Sequence, residues 1–300
     1  MKNKLKYSKL LVRNTILNTF ATIIPNHNFQ IKIMDILSIN HYSPQKMRNK
    51  YDKMIDDAKV LLDAYEKMHK INLKKSIKGK ICLEYGPGAG LEVAALLRSY
   101  GAKAVICCDV VPFYNPTISK EIRTKLNLGK IEKVKILKSA KNFNSKSANG
   151  IYYLYNKDAN FNFENQIDFI YSKDVVEHIK NLKEFFGAMK KNMKKTATAF
   201  HLIDYRSHGI EYQTPFDHLL FNNLIYNIMG HNRGIPNRQL WSNVKKSIEE
   251  NNLKIVKTKT KSKYTVNELK KYKKQKPKLK KFKDSDLEIK EMFFLLRQNI

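Results

Sequence analysis

From residue 80 onward the sequence alternates short apolar runs with helical patterns, and this alternation limits the possible folds more than any other feature of its 300 residues. The runs are KICLEY, AVICCDVV, GIYYLYNKDA, IDFIYSKDV, ATAFHLIDY, LKIVKTKTK and EMFFLLRQN; between them lie GLEVAALLRSYG, NLKEFFGAMKKNMKK and RQLWSNVKKSIEENN. Strands separated by helices run parallel and are covered by helices on both faces. The expectation is an α/β fold with a Rossmann-like, mostly parallel, seven-stranded sheet, its last strand antiparallel. The last two runs, 253–261 and 290–297, have no helix between them and are expected to pair antiparallel.

Residues 1–75 read as an N-terminal helical lid or extension. Leu10, Leu17, Phe20 and Ile24 recur at helical steps, and Ser43-Pro44 is a helix start, with Met47, Tyr51, Met54, Ile55, Leu62 and Tyr65 forming one apolar face. Residues 76–300 form the core, with an acceptor-pocket insertion at about 204–237 and a lysine-rich insertion at about 262–286 read as a solvated segment or a short charged helix.

The net charge of +30 would suggest nucleic acid or an anionic membrane as partner. Only eight of the 57 basic residues are Arg, however, whereas phosphate and base readers favour its bidentate fork. Nucleic acid is therefore not expected: a chain rich in Lys, Asn and Ile together reads as a general excess set by biased codon supply, and peripheral contact with an anionic membrane is the alternative for the charge. Cys82, Cys107 and Cys108 lie inside apolar runs without CxxC spacing, as buried reduced thiols do. Arg13, Asn14 and Asn18 interrupt the first apolar stretch, and no run reaches the ~18 residues of a membrane span. A cytoplasmic protein is expected, in a location that also allows contact with the inner face of the membrane.

The stretch EYGPGAG, residues 84–90, joins the first run to the first helical pattern. Glycines at 86, 88 and 90 permit a tight turn and a close approach of backbone to ligand. A dinucleotide loop spaces its glycines G-x-G-x-x-G. Here the spacing is G-x-G-x-G behind Glu84, a carboxylate that would repel a pyrophosphate and suits a cationic ligand.

These residues resemble the first motif of the class I S-adenosylmethionine-dependent methyltransferases, E/D-x-G-x-G-x-G. The resemblance covers about residues 80–260 and implies S-adenosylmethionine as cofactor. It implies that Glu84, Tyr85, Gly86, Pro87, Gly88 and Gly90 line the cofactor, with Glu84 reaching its amino acid end through the loop or water. Asp109, followed by Val110, matches the acidic residue that accepts the ribose hydroxyls. Asp158-Ala159 matches the pair at the adenine amino group, and Ser172 and Asp174, which open the segment after the fourth strand, are implied as further cofactor contacts. A solitary Asp such as Asp158 serves as readily as a turn residue.

The methyl acceptor is narrowed by what is missing. Ser172-Lys173-Asp174-Val175 stands where base N-methylating relatives carry Asn or Asp before Pro-Pro-aromatic, and the three cysteines lie away from any carbon-5 pyrimidine chemistry. HLIDYRSH places His201, Asp204 and His208 at a strand end, where a histidine can serve as general base and a carboxylate can orient it. His178 follows Glu177 in DVVEH. His201 reads equally as a strand residue satisfied by a neighbour, and His178 as a helix-start residue. The H-x-x-D-x-x-x-H pattern, with the later NRGIPNRQLW, resembles a bacterial methyltransferase subgroup associated with glycans and other surface or secondary metabolites, implying O-methylation of a sugar, nucleotide-sugar or lipid-linked glycan. RNA methylation and a non-catalytic cofactor-binding protein are the other readings. No metal is expected; the alternative is a divalent ion at Asp174, Glu177 and His178. Arg233 or Arg238 serves either an anionic acceptor group or a structural ion pair.

Overall fold

The structure, a computed structural model, describes residues 8–16, 19, 50–128, 133–208, 210–230 and 235–299. Leu10 lies in a helix over 8–16; Leu17, Phe20, Ile24, Ser43-Pro44, Met47 and Arg233 are outside the described residues.

The strands are β1 Ile81–Tyr85, β2 Ala104–Asp109, β3 Lys135–Leu137, β4 Gly150–Tyr155, β5 Ile167–Lys173, β6 Met193–Asp204, β7 Leu253–Lys263 and β8 Ile289–Gln298. They form one eight-stranded sheet in the order β3-β4-β2-β1-β5-β6-β8-β7. β1 to β6 are mutually parallel, and β8 runs antiparallel to both β6 and β7. The sheet thus has one strand more than the seven expected. The addition, β3, is a three-residue edge strand with Lys135 and Ile136 exposed, too short and too wet to stand out as an apolar run.

The helices that follow the one over 8–16 are α1 Tyr51–His69, α2 Leu73–Ile77, α3 Glu92–Ser99, α4 Pro116–Lys125, α5 Leu182–Asn192, α6 Asp217–Leu220, α7 Asn223–Gly230, α8 Trp241–Glu250, α9 Val266–Gln275 and α10 Asp284–Leu287. α1, α3 and α4 cover one face of the sheet, where Leu62, Leu96 and Ile122 pack on Cys82, Val105 and Phe200. α5 and α8 cover the other, where Phe186 and Val244 pack on Leu83, Ile170 and Phe294. Each such side chain contributes about 1.5–3 kcal/mol by leaving water. α1 is integral to this packing: its Tyr65 hydroxyl lies 2.9 Å from Thr198 Oγ1 of β6.

The lysine-rich insertion is structured. α9 begins in a capping box, Thr265 and Glu268 bonding each other's backbone N–H, and Leu269, Leu279 and Leu287 are buried in the core. β7 to its amino side is exposed from Val256 to Lys261. Strand order departs from β1 in both directions, toward β2 and toward β5, so the crevice for a ligand opens at the carboxyl end of β1.

Candidate active site

β1 is buried throughout, and its pleat sends Cys82 and Glu84 toward the α1/α3 layer and Leu83 and Tyr85 toward the α5 layer. The loop that follows is set by glycine. Gly86 and Gly88 have φ of +64° and +69°, which glycine alone enters without strain. A Cβ on Gly86 would stand 2.4 Å from Val175 Cγ2, so this turn presses against the segment after β5. A Cβ on Gly88 would meet nothing within 4 Å, leaving bare backbone toward open space. Gly90 serves packing instead, since a Cβ there would fall 2.5 Å from Ile122 Cδ1, and its bare backbone lets α4 lie close to the loop. Pro87 is buried between them.

Glu84 lies beneath this loop. It is 4% exposed, accepts the Cys107 thiol at 4.0 Å and faces the N–H of Ala94 in the first turn of α3. Burial, then the neighbouring Glu92 charge, push its pKa well above the usual carboxylate range. Glu84 is thus held between β2 and the first turn of α3, a helix N-terminus that favours acceptors. Tyr85 points the other way: its hydroxyl accepts from Asn192 Nδ2 at 3.0 Å. Asn192 also donates to Phe161 O and accepts from Phe163 N–H, tying down the β4–β5 connection. The Tyr85 ring is therefore a core side chain, contrary to its expected place beside the cofactor.

Asp109 ends β2. It is 6% exposed and accepts the Val111 N–H at 3.0 Å through Oδ1; burial, opposed by backbone N–H groups, raises its pKa to about 6. Around it stand exposed apolar side chains, Val110 (43%), Phe113 (41%) and, paired with Asp109 across the β2–β4 register, Tyr155 (42%). A nearly enclosed carboxylate rimmed by uncovered rings and aliphatics suits a planar base carrying a diol. Phe113 and Tyr155 were not legible as site residues; an aromatic just past a strand end is the signal they offer. Asp158 and Ala159 lie in an exposed turn, where the Asp158 N–H donates to Asn156 Oδ1 at 2.9 Å and Ala159 has φ +54°.

Ser172 and His201 correct the expectation made for them. Ser172 Oγ is 2.7 Å from His201 Nδ1, and both residues are fully enclosed. The imidazole stacks on Phe294 at 4.9 Å beside Phe185 and Phe186, and burial lowers its pKa to about 3. His201 is a neutral core histidine that cannot reach an acceptor, and Ser172 is its partner rather than a cofactor contact.

The remaining polar residues meet at the carboxyl ends of β5 and β6. Asp204 is 4% exposed; its carboxylate accepts from Arg206 Nε at 2.9 and 3.0 Å and from the Arg206 N–H at 2.9 Å. His208 Nε2 lies 3.3 Å from Asp204 Oδ2. Burial would raise the Asp204 pKa, but the hydrogen bonds from His208 and Arg206 outweigh it and hold the carboxyl well below its usual range. The same pairing lifts His208 above its ordinary value against its own burial. The His178 ring stands edge-on to His208 at 5.6 Å. Asp174, its φ at +54°, is fixed by its N–H donating to Leu202 O, and burial raises its pKa. Glu177 turns inward to accept the Asp204 N–H at 3.3 Å. Among the described residues, no group of three His, Cys, Asp or Glu side chains is placed to share a metal ion.

Three side chains hold the covering segment in place. Asp217 Oδ2 accepts the N–H groups of Tyr212, Gln213 and Thr214. Asn237 Nδ2 donates to Val176 O and Ile179 O, clamping the DVVEH turn. Arg238 donates to Phe221 O and Asn223 Oδ1 and stacks on Tyr226 at 3.8 Å, so its charge is engaged within the segment.

A family model described as a methyltransferase domain matches residues 56–256. The chain belongs to the class I S-adenosylmethionine-dependent methyltransferases. No curated protein matches it in sequence. Among solved structures it is similar in fold to one from Galdieria sulphuraria assigned as a sarcosine dimethylglycine methyltransferase, at 13% identity and TM-score 0.50, covering 82% of this chain and 86% of that one. It is likewise similar to Haemonchus contortus phosphoethanolamine N-methyltransferase 2 in complex with S-adenosyl-L-methionine, at 11% identity and TM-score 0.50, covering 89% of this chain and 60% of that one. For this methyltransferase the cofactor is S-adenosylmethionine, and the residues at the β1–β2 edge fit it: the open face at Gly88 admits a close ligand, and Asp109 with Val110, Phe113 and Tyr155 can hold a nucleoside. No helix among the described residues is long and apolar enough to cross a membrane.

Proposed function

We propose that the enzyme methylates a hydroxyl of a sugar, nucleotide-sugar or lipid-linked glycan, with His208 as general base and Asp204 orienting it. What favours this is the 3.3 Å contact between His208 Nε2 and the enclosed Asp204 carboxylate at the mouth of the crevice. When bound, S-adenosylmethionine supplies an electrophilic methyl group. A hydroxyl becomes a competent nucleophile only as its proton leaves, and a positioned histidine can take that proton. With Nε2–H donated to Asp204, Nδ1 of His208 is the accepting atom, and the carboxylate stabilises the imidazolium that results. Asp174, His178 and His208 form a polar rim suited to an acceptor rich in hydroxyls. Methyl transfer from labelled S-adenosylmethionine to a panel of sugars, nucleotide-sugars and lipid-linked glycans should yield a methyl ether. A product methylated only on nitrogen or carbon would refute the proposal.

A further inference from the structure

The charge is not spread evenly over the molecule. Residues 254–283 hold fourteen lysines and one acidic residue, Glu268, a net +13 of the chain's +30 in a tenth of its length. A general excess of lysine would not concentrate this way. Of its lysines, ion pairs among the described residues engage only Lys261, with Glu291, and Lys273, with Asp284, while Glu268 pairs with Lys290 outside the segment. The segment ends beside a cleft of about 760 Å³ lined by Lys276, Pro277 and Lys278 on one side, Leu220, Phe221 and Ile225 on another, and Ser8 of the helix over 8–16.

The helices at this cleft carry solvent-exposed aliphatic side chains. Leu224 (70% exposed) and Ile228 (39%) lie one turn apart on α7, and Val12 (56%) and Ile16 (48%) one turn apart on the helix over 8–16. Val266, opening α9, is 67% exposed. Aliphatic groups standing out beside lysines describe a surface that enters the headgroup region of a membrane, its lysines attracted by anionic lipid. A single-stranded nucleic acid would call for exposed aromatic rings on which bases stack, yet among the described residues the exposed rings, Phe113 and Tyr155, lie at the cofactor edge.

We infer that α7, the helix over 8–16 and the lysine-rich turn at 276–283 form a docking face for a bilayer containing anionic phospholipid. This stands apart from the role of His208, because its test reads vesicle binding rather than turnover. The full chain is sedimented with vesicles of phosphatidylcholine alone and with vesicles that are about one third phosphatidylglycerol. Wild type should bind the second and not the first. Leu224→Asn with Ile228→Asn, and separately Lys276→Gln with Lys278→Gln, should each weaken binding by at least tenfold while the melting temperature holds. Absence of binding to the phosphatidylglycerol vesicles would overturn the inference. So would binding that survives loss of Leu224 and Ile228, or tighter binding of a polyuridine strand than of the vesicles.

Discussion

The two ends of the crevice are built in different ways. At the β1–β2 edge, where the cofactor fits, backbone conformation does the shaping: two glycines at positive φ and a carboxylate at a strand end, behind a buried Glu84, all within 26 residues of chain. At the other end, where the acceptor is proposed to sit, side chains do it: Asp204 with His208 and Asp217 gathering three N–H groups nearby, and, across long stretches of chain, Glu177 under the Asp204 N–H and Asn237 on the DVVEH turn. A backbone cradle is common to every acceptor the fold can serve. Side-chain networks on a long connection can be rebuilt for each one, as befits segments carried on a rigid scaffold.

If the two ends are separable, damage to one should spare the other. His208→Ala carries the largest expected effect, a fall of about 10²–10⁴ in kcat/KM, with affinity for S-adenosylhomocysteine unchanged; intact turnover would remove His208 from its role. Asp109→Asn should do the reverse, weakening S-adenosylhomocysteine by about tenfold or more, since hydrogen bonds to charged groups contribute ~1.5–3 kcal/mol, while turnover at saturating cofactor persists. Asp217→Asn exposes the segment's dependence on one carboxylate: KM for the acceptor should rise several-fold with cofactor affinity unmoved, and equal loss of both would show the ends to be coupled. The smallest effect is on pH dependence. His208 must be neutral to accept a proton and its pKa is raised, so kcat/KM should climb with pH through a midpoint above 6.5. Asp204→Asn should move that midpoint down, and an unmoved midpoint would mean that another group titrates.

The same contrast explains what could be read from the sequence. Strand and helix order followed from periodicity, and EYGPGAG with Asp109 marked a glycine turn and a strand-end carboxylate at one sheet edge because turn chemistry and strand ends are local properties. Tyr85, Ser172 and His201 were misplaced because adjacent residues of a strand face opposite layers, and only the pleat decides which side chain meets the ligand and which meets Asn192 or Phe294. Asp217 carried a faint signal, since Thr214-Pro215-Phe216-Asp217 has the spacing of a capping box, and Thr214 Oγ1 does donate to Asp217 Oδ1 at 3.0 Å. Asn237 carried none, because its partners are carbonyls some 60 residues away. The lysine run holds the short charged helix that was one of its two readings; what it concealed is that Leu269 of that helix and Leu279 of the turn beyond it are buried in the core, too few apolar residues to form a stripe.

The most direct measurement is calorimetric titration of S-adenosylhomocysteine into wild type, Gly88→Ala and His208→Ala. At Gly88 an added methyl group meets no protein atom, so its cost to folding is limited to the strain of φ +69°, about 1–2 kcal/mol, while it intrudes on the space left for the ligand. Wild type and His208→Ala should bind alike, and folded Gly88→Ala at least tenfold more weakly. No binding by wild type, or full binding by Gly88→Ala, would contradict the assignment of this loop to the cofactor.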